Sequence, residues 1–222
     1  MRLFALLATL SLPVAACGLP AGPPSSVVQI TPSSHRPVNP ARVDRLRGDL
    51  PPGYEIVDLT GLAAPAGLWG LGPKWSAEPT QCGALGDPVH AAVETRGWSG
   101  SGPGGIVHVV VTGSPPLHTG LDPALVADCG HWTLAGGHTS GSVGLVDAPA
   151  VDGAATVAMS TATTTVVEGG TETHAHADTV TAYLGDYVAF VTVVTDPGSP
   201  NPPLGQDFAA TLLVKTLSAL RG

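Results

Sequence analysis

The plainest pattern lies in the second half of the chain. Residues 155–168 and 171–184 are long Thr/Val/Ala-rich runs on either side of Gly169-Gly170, a two-residue turn signal. Leu184-Gly185-Asp186-Tyr187 turns the chain again into a third run, 188–195. Together the three runs predict an antiparallel meander. After a proline-rich loop at 196–205, Asp207 is placed to cap a last helix. Its apolar stripe is Ala209, Leu213, Leu217 and Leu220, with Phe208 and Leu212 beside it.

The first half is patterned less regularly. Asn39-Pro40 fits a helix start, running to about Arg47 and stopping at Gly48 and Pro51-Pro52. Residues 54–59 alternate as a strand. Residues 61–80, with Trp69 and Trp75, read as loop, the tryptophans either packing beneath it or facing a ligand. Asp87-Pro88 predicts a helix to about Arg96, ended by Gly97. A strand follows at 106–112, and Asp122-Pro123 starts a short helix carrying Cys129. Helices in the first half and at the C-terminus, with a meander between them, predict an α+β fold: an antiparallel β-sheet flanked by helices.

Residues 1–40 have another character. Arg2 precedes an apolar run at 3–16 that ends in Val14-Ala15-Ala16-Cys17. A run that short does not span a bilayer, which takes about 20 apolar residues. The expectation is a lipoprotein signal peptide at 1–16, cleaved before a diacylglyceryl-modified Cys17. Residues 17–40 would hold the lipidated cysteine and a Pro/Ser-rich tether, and 41–222 a single domain. The location this implies is the extracytoplasmic face of the cell membrane, with the acyl chains as the membrane contact.

Composition narrows the function classes. The net charge is −8, with only nine Lys and Arg. Such a chain, with no basic cluster, suits neither nucleic acid nor anionic lipid. Of three cysteines, lipidation would consume Cys17. Cys82 and Cys129 then pair most simply with each other in an oxidising compartment, closing a loop worth roughly 3–4 kcal/mol. The alternative is two free thiols or metal ligands, which no CxxC or CxxH spacing supports.

Candidate chemistry is sparse. Gly100-Ser101-Gly102-Pro103-Gly104-Gly105 matches GxGxxG as a string. It precedes a strand rather than opening a helix, so it reads as a hinge-like loop and not a nucleotide site. No Gly-x-Ser-x-Gly is present, and Ser140 in Gly137-His138-Thr139-Ser140-Gly141 is only loosely similar. His90, His108, His118 and His131 read as surface or hydrogen-bonded core histidines. The sharpest polar cluster is Glu172-Thr173-His174-Ala175-His176-Ala177-Asp178. On a strand, His174, His176 and Asp178 share a face. A two-residue turn would set Thr165, Thr163 and Thr161 opposite them. That face is either a solvated polar sheet surface or a zinc or copper site. No cofactor is otherwise expected. With no nucleophile–base set, the expectation is binding rather than catalysis.

Four local strings carry a family resemblance: Leu50-Pro51-Pro52-Gly53-Tyr54, Pro79-Thr80-Gln81-Cys82-Gly83-Ala84-Leu85, Ala127-Asp128-Cys129-Gly130-His131-Trp132 and Pro149-Ala150-Val151-Asp152-Gly153. They resemble mycobacterial lipoproteins of unknown function, which look related to the extracellular sensor domain of serine/threonine kinases of the PknH type. The resemblance covers about 40–220. It implies an antiparallel sheet flanked by helices and a cleft for an unidentified small ligand or envelope protein. It transfers no catalytic residue. Such sensor domains usually carry two disulfides, whereas this chain has cysteines for one, and it has no kinase segment. A metal-binding lipoprotein and a structural docking module are the alternative readings.

Overall fold

The computed structural model describes residues 37–59, 61, 63–89, 92, 94–114 and 120–222. The lipidation position Cys17, with the signal and nearly all of the tether, lies outside them, as do His90 and His118. No helix among the described residues is long and apolar enough to cross a membrane.

Nine strands form one antiparallel sheet in the order β1-β3-β4-β9-β8-β7-β6-β5-β2. The strands are β1 (Glu55–Asp58), β2 (Ser76–Glu78), β3 (Thr95–Gly102), β4 (Gly105–Gly113), β5 (His131–Gly136), β6 (Thr139–Val146), β7 (Ala155–Val166), β8 (Glu172–Tyr183) and β9 (Tyr187–Thr195). The predicted meander is β7-β8-β9. A 3₁₀ helix, Pro40–Asp49, takes the place of the first predicted helix, and the Asn39 side chain accepts from the Ala41 amide as its cap. Short helices α1 (Pro65–Leu68), α2 (Gly83–Gly86) and α3 (Pro123–Asp128) precede the long α4 (Gln206–Arg221).

The central strands of the sheet are covered on both faces. On one, the 3₁₀ helix and α4 pack Val43, Leu212, Leu213 and Leu217 against Trp98, Val109, Val180 and Val191. On the other, α1, α2 and the Cys82–Cys129 disulfide close over Trp132, Leu134, Val143 and Met159. This explains the continuous valine runs of β4 and β9: central strands buried on both faces need apolar residues at both parities. The disulfide is buried at both ends.

Several local expectations are corrected. Residues 61–80 are not all loop, since α1 and β2 lie there. Among the described residues of 87–96 none is helical; Thr95 and Arg96 already belong to β3, where Gly97 approaches β4 so closely that a Cβ would run into the Val109 carbonyl. The Gly-rich string is the β3–β4 hairpin, pairing Gly102 with Gly105, rather than a hinge. Asp207 lies in the first turn of α4, and Gly205 occupies the cap position. β5 and β6 were not anticipated.

Candidate functional site

The β7–β8 turn decides what the His-bearing strand presents. Val167 donates to the Thr171 carbonyl, and Glu168, Gly169 and Gly170 form a three-residue loop with both glycines at positive φ. A two-residue turn at Gly169-Gly170 would give a register one residue away. The observed pairs are Thr164 with His174, Ala162 with His176 and Ser160 with Asp178. A slip of one residue exchanges the two faces of a strand. Thr161 and Thr163 therefore point to the opposite face and are buried, correcting the threonine row expected beside the histidines.

His174, His176 and Asp178 do share a face, as strand alternation requires. They do not converge. At about 3.3 Å per residue, His174 and Asp178 lie about 13 Å apart along the strand. His174 Nδ1 shares a hydrogen bond with Thr164 Oγ1 at 3.1 Å, and His176 Nε2 meets Asp178 Oδ1 at 3.1 Å. No group of three His, Cys, Asp or Glu side chains among the described residues is arranged to hold a metal. Asp178 is buried, and its carboxylate raises the His176 pKa by hydrogen bonding, against the opposing effect of burial.

This face is apolar where α4 covers it and polar where the cover ends. Beyond Asp178 the outward positions are Ala162, Thr164, Ser140, Ser142 and Thr133, joined across β8-β7-β6-β5. They line a shallow groove of about 690 Å³ that Pro197 and the two histidines border. On the other side of His174 lies a second cleft, of about 480 Å³, between the β3–β4 turn, the end of β9 and the loop 196–203. His174 and Ala175 belong to both and form the ridge between them. The walls carry hydroxyls, imidazoles and Asp196 but no Lys or Arg. Such hydrogen-bonding groups can hold and orient a polar ligand.

Sequence reasoning found His174 and His176 but missed Ser140, Ser142 and Thr133, because it did not place β5 and β6. The available signal was the alternation His131-Trp132-Thr133-Leu134 running into Gly136-Gly137. The buried face holds a further polar row: Trp69 Nε1 donates to Thr179 Oγ1 at 3.0 Å, and Thr179 meets Thr192 at 2.9 Å. Trp69 packs inward, tilted against Trp132 at 6.2 Å, and Trp75 also meets Trp132, at 6.4 Å.

Residues 39–221 match the family model described as a domain of unknown function, DUF5642. No curated protein matches the chain. Among solved structures, an uncharacterised protein of Mycobacterium smegmatis aligns with a TM-score of 0.62 at 20% identity, over 85% of this chain and 100% of that one. The extracellular domain of PknH from Mycobacterium tuberculosis aligns with a TM-score of 0.47 at 14% identity, over 83% of this chain and 98% of that one. The resemblance read from the four strings is met by the family match over 39–221 and by the fold of the Mycobacterium smegmatis protein.

Proposed function

This chain belongs to the DUF5642 family, and we propose that it is a binding module of the cell envelope, anchored by lipid on Cys17 and holding a polar ligand at the surface that His174 divides. One observation carries the reading. On the face that α4 packs against, Thr133, Ser140, Ser142, Thr164 and His174 lie beyond that helix beside a groove and a cleft. A merely solvated sheet face needs no adjoining hollows; a ligand does. Binding is favoured over catalysis because the hydroxyl that meets a histidine here, Thr164 with His174, and the carboxylate that orients one, Asp178 with His176, act on different rings and do not line up as a nucleophile, base and orienting acid. The acidic chain and cation-free walls argue against nucleic acid. The buried Cys82–Cys129 bridge fits an oxidising, extracytoplasmic location.

Two experiments test this. Native mass spectrometry of the full chain should find retained material that is lost in Ser142→Trp, whose indole fills the groove. Identical retention in both proteins, or none in either, refutes the site. For the anchor, Cys17→Ser should abolish the acyl mass on the N-terminal peptide and release the protein from membranes. An unmodified Cys17 in the wild-type membrane protein would refute it.

A further inference from the structure

The β8–β9 ladder begins at Tyr183 opposite Val188 and stops at His176 opposite Thr195. β8 itself continues to Glu172, paired there only with β7. Extended by two residues, the same register sets Pro197 opposite His174. Proline has no N–H to donate, so the ladder cannot go on. Asp196 turns the chain away: its Oδ1 accepts from the Gly198 amide at 2.8 Å, and its carbonyl accepts from Ser199 at 2.9 Å.

The backbone alternation tells which groups are left. Val167 donates to Thr171 across β7–β8, and Leu184 donates to Tyr187 across β8–β9. Odd-numbered residues of β8 therefore turn their N–H and C=O towards β7, and even-numbered ones towards β9. Glu172 and His174 present theirs to the side that β9 has left. Among the described residues, no strand pairs with 172–175 there. This stretch is not an ordinary outer edge, because it lies inside the sheet order and forms a notch beside the 480 Å³ cleft. Ile106 and Val194, cross-strand partners, offer apolar surface in the cleft, and Pro200 and Pro203 line it from the loop. Asp196 lines the cleft, which no Lys or Arg lines, and Glu172 stands exposed at the start of β8, two residues before His174.

We propose that residues 172–175 receive an extended, basic segment of a partner protein, which pairs with β8 where β9 has ended. Main-chain hydrogen bonds would supply affinity; the apolar cleft and the two carboxylates would select alternate side chains. The proposal rests on the binding reading above and names its partner class. A second copy of this acidic chain, at net charge −8, would bring like charge to a cleft lined by no Lys or Arg, which disfavours it as the occupant.

The test uses the full chain in neutral detergent and the peptide acetyl-Thr-Lys-Val-Lys-Val-Lys-Thr-amide. Saturable binding should slow hydrogen exchange at the His174 and Glu172 amides by tenfold or more. Methylating the peptide nitrogens on its pairing edge should weaken binding at least tenfold, and glutamate in place of lysine at least fivefold. Glu172→Pro removes an N–H that faces the notch and not β7, so it should weaken binding tenfold with an unchanged melting temperature. If that variant unfolds, the methylated peptide still decides on the wild-type protein. Pro197→Val, which returns a donor opposite His174, should also lower affinity. Absent saturable binding, or equal affinity for the methylated peptide, overturns the proposal. So does a dimer that Glu172→Pro dissociates, since the notch would then hold a second copy. Peptide failure alongside ligand retention sensitive to Ser142→Trp would leave the binding reading standing and remove only this inference.

Discussion

His108 has its charge state set by burial. It lies on β4 between Ser99 and Thr192, and its Nδ1 has no hydrogen-bond partner among the described residues. Burial lowers its pKa from 6.5 to about 4. Between those values the unfolded chain binds a proton that the folded chain refuses, so stability falls as pH drops through 6.5 and levels off near 4. A shift of that size is worth about 3 kcal/mol. His176 acts in the opposite sense. Its raised pKa adds stability that is full below about 6.5 and is lost as pH rises through the raised value. With a side chain 38% exposed, its contribution is the smaller. Denaturant titrations from pH 7 to 4 should therefore show falling stability, and His108→Leu should flatten most of the slope. An unchanged slope would mean that another group governs it. At the same scale, Trp69→Phe removes the donor to Thr179 and leaves a gap beside Trp132, so it should cost about 2 kcal/mol in chemical denaturation.

At the scale of elements, α4 shows why the C-terminal pattern was readable. Ala209, Leu212, Leu213, Leu217 and Leu220 recur at helical spacing, and all are buried against the sheet. Leu213→Ala should cost about 2–5 kcal/mol, measured by urea unfolding, because the neighbouring strands cannot collapse into the gap. The β7–β8 turn shows the limit of such reading. Gly169-Gly170 announced a turn, but both two- and three-residue loops suit two glycines at positive φ. One extra residue in the loop moved Thr161 and Thr163 from the histidine face to the buried one. The tryptophan-rich elements failed differently. α1 and β2 have 4 and 3 residues, too short for a period to register, and contacts with distant strands hold them in place. Gly86 lets them close, since a Cβ there would meet Trp75 at 3.0 Å and Trp69 at 3.2 Å.

At the scale of the whole molecule, the Cys82–Cys129 bridge joins the residue before α2 to the residue after α3 over one face of the sheet, across a sequence separation of 47. The chain-entropy model assigns it about 3–4 kcal/mol. Cys82→Ser with Cys129→Ser should lower the denaturation midpoint accordingly, and a midpoint within error of wild type would show that the packing of the three tryptophans suffices alone. Much of the fold follows from local chemistry that a linear chain carries in full. The meander follows from β-branched runs between turn residues, the last helix from its stripe, and the bridge from cysteine parity. The site does not. Whether the His174 face is open depends on where α4 ends its cover, and whether His174 and Asp178 can share a ligand depends on the distance along an extended strand. The notch beside β8 needs β9 to stop at a proline whose opposite residue is known only from the register. These are relations between segments distant in sequence, and the packing that decides them lies in no one segment.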